Sequence, residues 1–306
     1  MFWEDENANR CIVIIKDFKT KVLKMISYLP PIPTVMVELV QALNDEDIEL
    51  NVLGKIIAKD PSMSVNVLKV ANSAFYKLPV KVNSIEHAVR MLGTREIASL
   101  CIACTAGKTL KAPVNQPTID LSMFWQHSVA TGVISKVLCS ELGIQTQNNI
   151  YLAGLIHDVG KIILDRFMHD VYKEIVKITY NENISVTEAE QRVMGETHAR
   201  VGGWLMEAWN LPPIFIDVAS YHHTVMETQE DTRLEVALVS LSNQLARLKS
   251  FGFGGDMSGV VLADIDAWKI IDEAYPQIKN LDVVKFIWDL DEAYNEIVAM
   301  EKIINN

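Results

Sequence analysis

The sequence predicts an all-α protein. Apolar residues recur at helical spacing along most of the chain, strand-like alternation is scarce, and prolines cluster at the breaks between periodic segments. The expected arrangement is two helical lobes meeting near Ala112 to Pro117, with no β-sheet beyond two short strands.

Ile12 to Tyr28 carries an apolar stripe that Pro30, Pro31 and Pro33 interrupt, and a second helix runs from about Thr34 to Leu43. Asn44-Asp45-Glu46-Asp47 is a polar turn before a helix over Val52 to Ala58. Asp60-Pro61 is a strong helix start, because Asp can cap free backbone N–H groups and Pro suits the first turn. That helix ends near Asn72-Ser73, after which Phe75 is expected in the core. Ile85 to Leu92 and Ile97 to Leu110 are separated by Gly93, and the proline-bearing stretch Ala112 to Pro117 is a linker.

A long helix over Ser122 to Leu142 stops at Gly143, and Asn148 to Asp158 follows. Val171 to Tyr180, Val186 to Met194 and His198 to Trp209 are shorter helices, and Leu211-Pro212-Pro213 is a stop. Leu234, Leu238, Leu241, Leu245 and Leu248 form one helical stripe. Phe251 to Gly255 is a glycine-rich hinge without the Lys-Ser/Thr pair of a phosphate loop. Two acidic amphipathic helices, about Ile265 to Tyr275 and Val283 to Ile304, complete the pattern, and no internal repeat is evident.

The 306 residues, 49 % hydrophobic and 22 % charged, suffice for one large or two ordinary domains with a real core. A formal net charge of −11 without a Lys/Arg cluster argues against nucleic acid as a partner. Apolar runs too short for a bilayer and an acidic start, MFWEDENANR, predict a cytoplasmic protein without a membrane partner. Cys11, Cys101, Cys104 and Cys139 fit reduced thiols, and Cys101 and Cys104 share an apolar helix face with no second pair to complete a zinc site.

Chemistry concentrates in the histidines. Of seven, His87 and His169 sit among polar residues and have ordinary surface or packing roles. His127 lies on a stripe with Ala130, Ile134 and Leu138, while His157 and Asp158 fall inside LAGLIHDVGK, among apolar residues. His198 shares a face with Val201 and Leu205, and His222 and His223 follow a segment rich in Ile and Val. Asn243 lies on a face with Val236, Val239 and Ala246. Taken singly, each histidine reads as a satisfied core residue. Five together on successive helices, with an adjacent His-Asp pair, suit a site for one or two divalent transition metal ions such as Fe, Mn, Zn or Ni.

The series His127, His157-Asp158 with Gly160-Lys161, His198 and His222-His223 resembles the HD superfamily of metal-dependent phosphohydrolases. The segments LPPIPTVMVELVQAL, IIAKDPSMSVNVLKVANSAFY and SIEHAVRMLGTREIASL resemble, more narrowly, the HDOD domain, the HD-related output domain of bacterial signalling proteins. The resemblance implies an HDOD domain over 29–248, with an N-terminal helical lobe at 29–111 and an HD-like lobe at 118–248. An N-terminal helix at 1–28 would precede it and acidic helices at 256–306 would follow.

Carried over by resemblance, His127, His157 and Asp158 form a first metal position, and Asp158, His198, His222 and His223 a second. Lys161 matches a lysine that holds substrate phosphate. Asn243 stands where active members place a final Asp, which makes it a weak ligand and the first position the weaker one. His222-His223 is followed by TVMET rather than the Gly-Tyr-Pro motif of cyclic-di-GMP phosphodiesterases. The implied function is a signalling or regulatory module that binds metal, is weakly or not catalytic, and meets a protein partner in trans. The alternative is a phosphohydrolase in which metal-activated water attacks a small phosphorylated ligand, a nucleotide or another phosphoester.

Overall fold

A computed structural model describes residues 17–29, 34–43, 50–73, 76, 78–110, 117–145, 150–252 and 261–305. Among them every α-helix or turn-helix element is helical and no strand occurs. Phe75, Cys11, residues 112–116 of the expected linker and residues 253–255 of the expected hinge lie outside the described residues.

The first six helices among the described residues are α1 (Phe18–Ile26), α2 (Thr34–Leu43), α3 (Leu50–Ala58), α4 (Pro61–Ala71), α5 (Ile85–Leu92) and α6 (Thr94–Leu110). Asp60 caps α4 as its sequence suggests: its carboxylate accepts the Met63 N–H at 3.1 Å, with Pro61 in the first turn. Ser84 caps α5 through the His87 N–H. Cys101 and Cys104 are both buried on α6, which matches a packing role.

The next run is α7 (Leu121–Glu141), α8 (Ile150–Ile156), α9 (Val159–Phe167), α10 (His169–Glu182), α11 (Val186–Met194), α12 (His198–Ala208), α13 (Pro213–Tyr221) and α14 (Arg233–Leu248). Helices α15 (Asp266–Ala274) and α16 (Val283–Asn305) finish the order. Helix α7 is the hub. It packs on α8, α14 and α16, and from Phe124 to Ser135 only Gln126 escapes full burial. Helix α12 packs on α13, α9 and α1, and α6 touches α8 and α16.

The segment expected as one helix over Asn148 to Asp158 is divided. Helix α8 ends at Ile156, and α9, which the sequence pattern did not predict, begins at Val159. Asp158 occupies the break with φ −100° and ψ 4°. This frees His157 and Asp158 from the roughly 100° divergence of neighbouring side chains on a helix.

Two close approaches bring these helices together. A Cβ on Gly154 would lie 2.8 Å from Gly132 Cα, so α7 and α8 cross backbone to backbone. A Cβ on Gly160 would fall 1.9 Å from the His198 carbonyl oxygen, so glycine is what lets α9 reach α12.

Asp60→Ala is expected to destabilise the fold by about 1 kcal/mol, the usual cost of a lost cap. Gly160→Ala is expected to cost roughly 3 kcal/mol, because the added methyl must force backbone apart. Denaturant unfolding measures both, and a Gly160→Ala midpoint equal to the parent's would show that α9 and α12 separate freely.

Candidate metal centre

The break between α8 and α9 sets Asp158 at the middle of the fold, 1 % exposed. Around it the structure gathers all the sequence-predicted residues. His127 comes from α7, His157 from the end of α8, Lys161 from α9, and His198 from the first residue of α12. His222 and His223 follow α13, and Asn243 lies on α14. All are buried except His223, which is partly exposed.

The two carboxylate oxygens face different neighbours. Oδ1 is 3.1 Å from His198 Nε2 and 3.5 Å from His222 Nε2, and it accepts no hydrogen bond. Oδ2 accepts from the Lys161 ammonium at 2.6 Å, and lies 3.3 Å from His157 Nε2 and 3.7 Å from His127 Nε2. His223 Nε2 stands 3.2 Å from His198 Nε2. Two ligand sets result, Asp158-His198-His222-His223 and His127-His157-Asp158, each with its donor atoms within 4.8 Å of one another.

The far ring nitrogens show how the imidazoles are held. His157 Nδ1 donates to the Gly154 carbonyl at 2.6 Å, and His222 Nδ1 to the Val218 carbonyl at 3.0 Å. His198 Nδ1 pairs with the Glu190 carboxylate at 2.8 Å, and Glu190 also accepts the His198 backbone N–H at 3.0 Å. These contacts turn the Nε2 atoms toward the centre. The arrangement is the outer-shell orientation that metal-binding histidines need.

Glu190 was not among the residues read from the sequence. The signal was present: it sits on the buried face of α11 with Val186, Ala189, Val193 and Met194, where an unpaired carboxylate would be costly. Asp165 was missed as well. Its buried carboxylate accepts the Thr118 and Ile119 N–H groups and pairs with His169, tying α9 to the chain entering α7.

Electrostatics follow burial. Exclusion from water pushes the His127 imidazole down to about 3 and the His222 imidazole down to about 4, and holds His223 well below its usual range. Burial also disfavours the charged form of His198, but Glu190 beside it overcomes this and raises its pKa. For Asp158, burial works toward the neutral acid, while His157 and Lys161 hold the carboxyl well below the ordinary carboxylate range.

Residues 29–225 match the family model of the HDOD domain. The chain belongs to the HDOD domain family. An HDOD domain protein of unknown function from Geobacter sulfurreducens is 25 % identical, with a TM-score of 0.75 over 94 % of this chain and 99 % of that one. A protein from Marinobacter aquaeolei VT8, named as a candidate signal transduction protein, shares the fold at 20 % identity and a TM-score of 0.75. That match covers 96 % of this chain and 63 % of that one. An uncharacterised Treponema pallidum (strain Nichols) protein is 23 % identical over 253 residues, 80 % of this HDOD chain. The chain spans 48 % of that curated relative's length. Among the described residues no helix is long and apolar enough to cross a membrane.

The metal-free protein is expected to lose stability as pH falls from about 6.5 toward 4. Unfolding lets His127, His222 and His223 take up protons near their usual pKa that the folded core refuses, so the unfolded state gains with acid. His198, raised by Glu190, acts in the opposite sense, one proton against three. Urea midpoints measured near pH 7 and near pH 5 check the sign, and a higher midpoint at the acid end would reverse it.

Proposed function

We propose that this HDOD chain is a signalling or regulatory module whose helices close around a divalent transition metal, and that it hydrolyses phosphoesters weakly or not at all. One observation carries the reading. Buried imidazoles anchored through Nδ1 turn their Nε2 atoms toward a buried carboxylate oxygen that accepts no hydrogen bond. His222 Nε2 has no hydrogen-bond partner and faces Oδ1 acceptor to acceptor at 3.5 Å, so a cation between them would satisfy both atoms.

The donor set fits such an ion. Asp158, His198, His222 and His223 supply one carboxylate and three imidazoles, a combination that suits Zn, Fe, Mn or Ni. When bound, the metal would neutralise Asp158 and polarise an oxygen ligand as a Lewis acid. Glu190 orients His198, and the carbonyls of Gly154 and Val218 orient His157 and His222. A site assembled from α8, α9, α12 and α13 would couple their relative positions to metal occupancy.

Two features favour regulation over turnover. The cation that would meet a substrate phosphate, Lys161, is 3 % exposed with its ammonium on Asp158. Asn243 brings no charge to the first ligand set. In this reading the helical lobe at 29–111 offers the surface for a protein partner, the HD-like lobe at 118–248 holds the metal, and the acidic helices at 256–306 flank them. The Marinobacter protein's signalling name agrees with such a role.

A phosphohydrolase remains the second reading. The two ligand sets sharing Asp158, with His223 partly exposed, are what favour it. It would act on a small phosphorylated ligand, with Lys161 released from Asp158 to neutralise phosphate.

Elemental analysis of protein purified without chelator is expected to find tightly held transition metal that Asp158→Ala loses. Glu190→Gln should weaken metal affinity by about 10–100-fold, the usual effect of removing an outer-shell partner. No metal in the parent protein, and none taken up on reconstitution, would end the reading. Cyclic-di-GMP and a nitrophenyl phosphodiester should show no hydrolysis above a metal-only blank. Turnover abolished by Asp158→Ala would instead establish the second reading.

A further inference from the structure

We propose that the first ligand set, His127, His157 and Asp158, is closed to metal, and that Lys161 and Asn243 close it, so the centre takes a single ion on the second set. This rests on the metal reading above and concerns the number of ions and the work of these two residues.

The first observation is the orientation of His127. His157, His198 and His222 each commit Nδ1 to an oxygen and leave Nε2 for the centre. His127 is turned the other way. Its Nε2 is bonded to Asn243 Oδ1 at 2.9 Å, and its Nδ1 is buried with no hydrogen-bond partner. An amide oxygen only accepts, so Nε2 carries the proton in that bond and has no lone pair to offer. Reversing the Asn243 amide would not open the site, because its NH2 group would then donate to Nε2 and occupy the same lone pair.

The second observation is the division of labour on Asp158. Oδ2, the oxygen on the side of His127 and His157, already carries the Lys161 ammonium at 2.6 Å. Oδ1, toward His198 and His222, has no hydrogen bond. A dication on Oδ2 would stand against that ammonium in a water-excluded core, where like charges repel strongly. Among the described residues no second carboxylate joins that set to offset the repulsion, since Asn243 is neutral and Glu190 lies behind His198. His157 alone remains prepared on that side, and one imidazole beside an ammonium does not hold a dication.

Lys161 is therefore a positioning residue. It neutralises half of Asp158 from within the chain, and it fixes which oxygen faces the metal. In this role the buried ammonium serves the Asp158 carboxylate rather than a substrate phosphate.

The test loads the isotope-labelled, full chain with NMR-active cadmium and follows the imidazole nitrogens. The expected result is one cadmium resonance, cadmium coupling at His198, His222 and His223, and a still-protonated Nε2 on His127. A second cadmium resonance, or coupling at His127, overturns the single-ion inference while leaving the metal reading intact. Absence of cadmium binding sinks that reading, and the inference with it. The double variant Lys161→Met, Asn243→Asp, verified as helical by circular dichroism, should rise from one cadmium to two per chain. A folded double variant that stays at one would show that these residues do not close the position.

Discussion

The Asp158 carboxylate is the constraint on which the second half of the fold depends. A carboxylate taken out of water costs several kcal/mol unless its surroundings compensate. Here one oxygen is matched by Lys161 a turn along α9, and the other faces imidazoles delivered by α12 and the end of α13. Those helices can approach only because Gly160 lies under the His198 carbonyl and Gly154 lies against Gly132. Charge and backbone packing thus require one another: the glycines permit the crossings, and the crossings compensate the charge.

The same helices connect the centre to the first half of the chain. Helix α7 carries His127 near its start and Lys136 further along. Lys136 bonds the Glu96 carboxylate on α6 at 3.1 Å, and Glu96 accepts the Tyr76 hydroxyl at 2.6 Å. Burial and the Glu96 charge both push the Tyr76 phenol up, so this hydroxyl stays a donor. The helix that carries His127 is therefore also tied to α6 and to Tyr76 through this chain of polar contacts.

Much of this was legible in the sequence. Apolar spacing marked α2, α5 and α11 to the residue, and Asp60-Pro61 announced the start of α4. Five histidines and an aspartate on apolar faces announced the centre. What stayed hidden was set by tertiary contacts. Gly160 resembles a helix stop, yet α9 runs through it because the glycine answers to the His198 carbonyl, which no local pattern displays. The resemblance that links Lys161 to phosphate does not display its 2.6 Å bond to Asp158 either. Glu190 was readable in principle, as a carboxylate on a buried helix face, but nothing near it in sequence names His198 as its partner.

Anomalous diffraction from crystals of the metal-loaded protein, collected at the absorption edge of the bound element, tests the central claim most directly. The account predicts one strong peak within about 2.0–2.3 Å of Asp158 Oδ1 and the Nε2 atoms of His198, His222 and His223. A map with no peak at that position, or with its principal peak between His127 and Asn243, would contradict it.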